Sequence, residues 1–289
     1  MIPWYVFAVA SAILHTLFQI ARKKALQKIH SMNFEATRAL TIAVLALFLI
    51  PFINLNISKG VLALAYFVSI IATAGILLAS KALRHEEISL ITPLANLRPA
   101  FVAILAFFFL GEAIGSKQIV GIGILLVAAY LLESDHHFSD FIKPIKHFFA
   151  DKYSIFFVFA MLLFSISAVL DKFMITQYLD IFTYFFIIWV FIAINLNIVH
   201  LWLYGYKDTI DCFKKVKYLP LLVGLSSMSA NLLALKALSM AFVSLVAPVL
   251  MLSTLFVVLL GGEFFHERYI YFRLGVSALM LVGAYLIII

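Results

Sequence analysis

Ten blocks of roughly twenty apolar residues follow one another along the chain, parted by short polar connections. A helix of about 20 mostly apolar residues is what crosses the hydrocarbon core of a bilayer. Inside lipid an unpaired backbone amide has no water to turn to, so each block must satisfy its own amides as a helix. The spans read from the sequence are 3–22, 35–54, 59–81, 88–110, 117–133, 153–175, 181–204, 218–239, 242–262 and 270–289. With 65% hydrophobic and only 12% charged residues, little is left to build a soluble domain. The expected fold class is an all-α membrane protein with ten transmembrane helices.

The net charge of +7 does not indicate nucleic acid, because the basic residues are scattered through the connections rather than gathered on one surface. Cys212 is the sole cysteine, so no intrachain disulfide forms. His136, His137, Asp140 and His147 are close in sequence, but their spacing fits no metal-ligand pattern, and neither a metal nor a cofactor is expected. The first block lacks a basic leader and a small-residue cleavage site, so it reads as a retained helix.

A repeat organises the blocks. A shift of 155 residues aligns Lys81 with Lys236, Ser89-Leu90 with Ser244-Leu245, Pro93 with Pro248, Phe101-Val102 with Phe256-Val257 and Glu112 with Glu267. Chance matches of Leu and Val are cheap in such a composition; Lys, Ser, Pro and Glu in one register are not. Five spans per copy is an odd number, so the second copy enters the membrane from the opposite side, and an inverted repeat is expected. The domains are 1–133 and 153–289, joined by 134–152. Phe138, Phe141, Ile142, Ile145, Phe148 and Phe149 recur there at helical spacing, which predicts an amphipathic stretch at the membrane surface, broken near Pro144.

This doubled set resembles the drug/metabolite transporter superfamily, EamA type. Each half has a proline in its fourth helix (Pro93, Pro248), a glutamate after it (Glu112; Glu263 or Glu267), a glycine in the fifth (Gly121, Gly275) and a basic residue near the end of the first (Lys23, Lys172). The chain departs from the family where Trp-Gly is frequent: His15-Thr16 and Phe164-Ser165 stand there instead. The resemblance implies secondary carriage of a small organic solute, an amino acid or related anionic or zwitterionic metabolite, often outward. The route would be alternating access through a cavity between the halves of a monomer or homodimer in the plasma (inner) membrane. A lipid or lipid-linked-metabolite flippase could use the same fold. A membrane enzyme is the weaker reading, since the spans hold almost no carboxylates, and no phosphate loop or nucleophile elbow appears.

Arg98 is the residue this reading turns on. It falls near the middle of the 88–110 span, where an arginine costs about 2.5–3.5 kcal/mol on insertion scales and must face protein or water. Under the repeat it aligns with Ser253, and Asn96 with Met251, so polar chemistry sits on one side of a symmetric frame. The planar guanidinium suits a carboxylate or phosphate. The sequence leaves open whether Arg98 binds substrate or makes a structural pair, with Asp171 as the available partner. Pro99 is expected to free carbonyls near Ala95. His15 and Gln19 share a face of the first helix, and Asn231 with Ser227 share one in the eighth; each pair either lines the cavity or packs helices. Asn195 and Asn197 read as packing. Lys81, Lys236 and Asp171 are candidates for gating or coupling.

The charge bias across the membrane has its own reading. With the amino terminus inside, the cytoplasmic side would hold only Lys59, Lys117, Lys172 and Lys236, and every other basic position except mid-span Arg98 lies opposite, Arg38 among them. The positive-inside rule then places both termini outside. The resemblance implies termini inside.

Overall fold

The computed structural model describes residues 2–26, 29–85, 92–133, 152–205, 218–257 and 270–289. Among these every regular element is helical: α1 (Trp4–Leu26), α2 (Ser31–Ala46), α3 (Lys59–His85), α4 (Leu97–Leu110), α5 (Ser116–Glu133), α6 (Lys152–Gln177), α7 (Ile181–Tyr204), α8 (Leu219–Met240), α9 (Val243–Leu250) and α10 (Ile270–Ile288). Six segments are long and apolar enough to cross a membrane, with four shorter apolar helices beside them. The linker 134–151, the stretch 206–217 with Cys212, and Glu263 and Glu267 lie outside the described residues, as do the four linker residues weighed as metal ligands.

Three spans are not continuous α-helix. The fourth runs as a 3₁₀ turn over Thr92–Asn96 and becomes α-helical only at Leu97. This corrects the part expected of Pro99. It sits in the first turn of α4, where its missing amide has no intrahelical acceptor to lose and its fixed φ suits the helix. The interruption lies upstream of it, after Pro93. The ninth span breaks likewise: α9 ends at Leu250, Met251 forms a turn, and helix resumes over 252–257. Asn96 and Met251 are the pair aligned by the 155-residue shift, so both breaks fall at one register. The second span also ends in a 3₁₀ segment, Leu47–Phe52, where Pro51 cannot extend an α-helix.

The helices pack in matched pairs. α1 lies against α8 and α3 against α6; α2 touches α8 and α7 touches α3; α9 touches α1 and α4 touches α6. Exchanging each helix with the one five places on maps the first member of each pair onto the second. α2 with α7, α4 with α9 and α5 with α10 map onto themselves. The core between them is built from Phe185, Trp189, Leu196, Val246, Leu255 and Met280. Phe107, Phe108, Phe109 and Trp202 point outward and are exposed, as expected where the surrounding solvent is lipid.

Between lipid-bathed helices hydrophobic burial gives little drive, so close backbone approach does the holding. α5 and α10 cross at Gly121 and Gly283. A Cβ on Gly121 would stand 2.8 Å from the Gly283 carbonyl oxygen, and one on Gly283 would stand 2.9 Å from the Gly121 oxygen. α4 is closed by Gly111 in the left-handed region, φ 65°, and the Glu112 amide then reaches back to the Ala106 carbonyl at 3.2 Å.

Candidate functional site

Arg98 is the second residue of α4, just past the break. Its carbonyl accepts a hydrogen bond from Ser165 Oγ of α6 at 3.1 Å. Its guanidinium lies over the Phe164 ring at 5.7 Å and is deep among protein atoms, yet the residue is exposed. It is the leading charge acting on His15 of α1, and its own leading partner in charge is Asp171 of α6. Arg98 thus sits on α4 against Phe164 and Ser165 of α6. It makes no ion pair with any described residue. Phe164 keeps its place because Gly75 of α3 has no side chain: a Cβ there would meet the ring at 2.8 Å.

A second cationic cluster was not singled out from the sequence. Arg38 of α2 donates from Nε to Glu35 Oε2 at 2.8 Å, and its Nη2 stands 2.8 Å from the same oxygen. Arg22 of α1 reaches the other oxygen at 3.3 Å. Nη1 of Arg38 donates to Ser227 Oγ at 3.2 Å, and its guanidinium lies 5.3 Å from the Phe18 centroid and 5.1 Å from that of Trp189. Glu35 is only 4% exposed. Arg38 therefore belongs to the interior and not to a connection, and it leaves the charge tally used for topology. The signal was present: Glu35 and Arg38 are three apart, on one helical face, inside an apolar block.

The other predicted residues separate. His15 is half-buried, its ring tilted 30° against Phe18 at 5.0 Å. Gln19, one turn on, is also half-buried. Asn231 donates to the Ser227 carbonyl within α8 at 2.7 Å, while Ser227 is buried and spent on Arg38. Asn96 and Ser253 are buried too, and the Ser253 carbonyl accepts from Thr16 Oγ1 at 3.3 Å. Asn195 donates to Ser69 Oγ at 3.2 Å and Asn197 to the Ala36 carbonyl at 3.2 Å, both helix-to-helix contacts. Lys81 is exposed with its ammonium 5.2 Å from the Phe156 ring, and Lys236 is exposed. Asp171 accepts a hydrogen bond from the Tyr184 hydroxyl.

These contacts again come in pairs. Thr16 donates to the carbonyl of Ser253, and Ser165 to that of Arg98; each hydroxyl also bonds four residues back, to Ala12 and Met161. A shift of 149 relates Thr16 to Ser165, Arg22 to Asp171 and Glu35 to Tyr184. The Arg22–Glu35 pair and the Asp171–Tyr184 pair thus occupy corresponding positions with different chemistry.

Where the second five helices turn from α8 into α9, two charges fasten the connection. Lys172 donates to the carbonyls of Leu238 and, at 2.9 Å, Ala241. Glu112 accepts from the amides of Val243 and Ser244 at 2.9 and 3.0 Å and from Ser244 Oγ at 2.6 Å. A cation thus sits on carbonyls that end one helix and a carboxylate on amides that begin the next, each where the helix dipole favours it.

Residues 2–134 match the EamA-like transporter family. That family lies within the drug/metabolite transporter superfamily. With its series of apolar helices the chain is a multi-pass membrane protein, and the matched family is one of transporters. No curated protein matches it. A crystal structure of a protein superposes over 98% of this chain and 96% of its own length with a TM-score of 0.72, at 12% identity, a likeness of fold alone.

Proposed function

We propose that this is a secondary transporter for a small anionic or zwitterionic organic solute, an amino acid or a related metabolite. It would be built as two inverted five-helix repeats and work by alternating access between them. The paired helix contacts, the paired hydroxyl-to-carbonyl bonds and the two breaks at one register support the inverted repeat. Such repeats place substrate near the midplane beside discontinuous helices, and Arg98 adjoins one break. Export from the cytoplasm is the direction proposed, on the family resemblance.

The observation that carries the substrate class is the contrast among the arginines. Arg22 and Arg38 share Glu35 as a counter-ion; Arg98 is accessible and has no carboxylate within bonding distance among the described residues. A bare guanidinium at this depth is costly, and an anion that binds it recovers part of the cost. Counterflow in proteoliposomes against a panel of amino acids and organic anions tests this. Arg98→Ala is expected to abolish exchange. Arg98→Lys, which keeps the charge and loses the fork, is expected to weaken apparent affinity at least tenfold. Unchanged transport in both variants refutes the assignment. Movement of a fluorescent lipid with no solute exchange would make the chain a flippase instead.

A further inference from the structure

We propose that Arg38, Glu35 and Arg22 form a latch that closes the protein at the membrane face where α1 ends and α2 begins, and that this latch parts when the interior opens to that face. The inference rests on the alternating-access reading above and names a contact that has to break for it.

The element order places the cluster. α1 ends at Leu26 and α2 begins at Ser31 after a short connection, so both helix ends lie at one face. α8 begins there too, because Leu219 and Val223 share an apolar cluster with Ala25 and Phe34. At 1.5 Å per residue, Arg22, Arg38 and Ser227 lie about 6, 10 and 12 Å in from those ends. Arg38 joins the two halves. Glu35, on its own helix, holds it at 2.8 Å and links it to Arg22 of α1. Across the boundary its Nη1 donates to Ser227 of α8, and the Trp189 ring of α7 faces the guanidinium at 5.1 Å. A rotation of one half against the other breaks these last two contacts.

The chemistry suits a contact that opens and recloses. A seam closed by apolar side chains alone resists the entry of water. A buried ion network adds little net stability, because pairing only offsets desolvation, and wetting it returns the hydration that was lost. Closed and open arrangements of such charges can therefore lie close in free energy, as exchange between two states requires. Arg22 already stands at the edge: its side chain is 28% exposed and that of Glu35 is 6%. The latch belongs to one face only. The 149-residue shift puts Ile187, buried and apolar, in the place of Arg38, and the Asp171–Tyr184 contact stays within one half. Glu112 does cross the halves at the opposite face, but it holds main chain at the start of α9, and the repeat supplies Glu267 in its register.

The first test reads access and needs no substrate. In the full chain carrying Cys212→Ser, Asn231→Cys puts a thiol one turn deeper along α8 than Ser227. A charged methanethiosulfonate is applied to membrane vesicles of either orientation. Arg38→Met is expected to raise the labelling rate about tenfold from the α1–α2 face and to leave or lower it from the other. Arg22→Gln, which keeps the Arg38–Glu35 pair, is the milder variant should Arg38→Met fail to fold, and is expected to shift labelling in the same direction. Equal rises from both faces would mean general loosening, and no rise in a folded variant would mean that these charges do not hold the seam; either overturns the inference. The second test is a crosslink. A Cβ on Gly224 of α8 would stand 3.3 Å from the Thr41 Cβ of α2, close to disulfide spacing. With Thr41→Cys and Gly224→Cys oxidised, counterflow of leucine, phenylalanine or glutamate, whichever wild type exchanges, is expected to stop and to recover on reduction. Undiminished counterflow in the crosslinked protein overturns the latch. A wild type that moves no solute, while Arg38→Met still gains one-sided labelling, sinks the transport reading and leaves the latch standing.

Discussion

Replacing Glu35 with glutamine should be among the most damaging single changes of one charge in this protein. Glu35 is 4% exposed and is the shared counter-ion of two arginines, both oxygens engaged at 2.8–3.3 Å. Removing one partner of a buried ion pair costs about 3–5 kcal/mol, because the remaining charge keeps its desolvation and loses its compensation. Here two guanidinium groups lose it together. Arg38 retains Ser227 and the faces of Phe18 and Trp189, and a cation on an aromatic ring is worth about 0.5–2 kcal/mol. The net loss expected is therefore near the lower end, about 3 kcal/mol. The measurement is unfolding of the purified protein in mixed micelles, as a cycle of Glu35→Gln, Arg38→Met and both together. If burial of uncompensated charge is the cause, Arg38→Met restores part of what Glu35→Gln removes, with a coupling of at least 1 kcal/mol. Additive effects, or a Glu35→Gln protein within 0.5 kcal/mol of wild type, would refute this account of the cluster.

Glu112→Gln should cost about 1.5–3 kcal/mol by stripping the charge from three hydrogen bonds at the start of α9; a melting temperature equal to wild type would show that the cap carries no weight. Gly283→Ala should destabilise by about 1–3 kcal/mol, since its Cβ meets backbone on α5 at 2.9–3.0 Å. Gly123→Ala, with nothing within 4 Å, should be neutral or stabilise by up to ~1 kcal/mol. The same thermal melt reads both, and the reverse order would contradict the α5–α10 crossing.

The parts of the fold legible in the sequence are those that depend on composition and period. Ten apolar blocks give ten α-helices among the described residues because lipid leaves the backbone no alternative, and the 155-residue register survives because Pro93, Pro248 and their breaks belong to the frame. The place of Pro99 was not legible. A proline reads as a breaker or as a first-turn residue according to where the helix begins, and that is set by the 3₁₀ turn before it. The Arg38 cluster was hidden by the same averaging that revealed the spans: hydropathy scores Glu35 and Arg38 as two penalties near a boundary, while the structure spends them on each other. Arg98 was visible because it stands deep inside its block. That its guanidinium rests over the Phe164 ring was not, since spacing along α6 says nothing of how α4 packs against it.

The two halves agree where they use backbone and diverge where they use side chains. Thr16 and Ser165 perform one task, bonding a carbonyl at the break of the opposite discontinuous helix, and either hydroxyl serves because the acceptor is main chain. The next positions hold no such constraint: His15 answers to Phe164, Arg22 to Asp171, Glu35 to Tyr184, Ser253 to Arg98. Around α1 and α2 the substitutions produce a closed triad of two arginines on one carboxylate; around α6 and α7 they leave the α4 guanidinium over a phenyl ring and a carboxylate under a phenol. A frame held by main-chain contacts can keep its shape while side chains at its centre change. Charge that would be ruinous in a symmetric pair is tolerated in one copy because the other supplies no second like charge at the matching place. This is why the chemistry of the site must be sought at positions where the repeat fails to repeat.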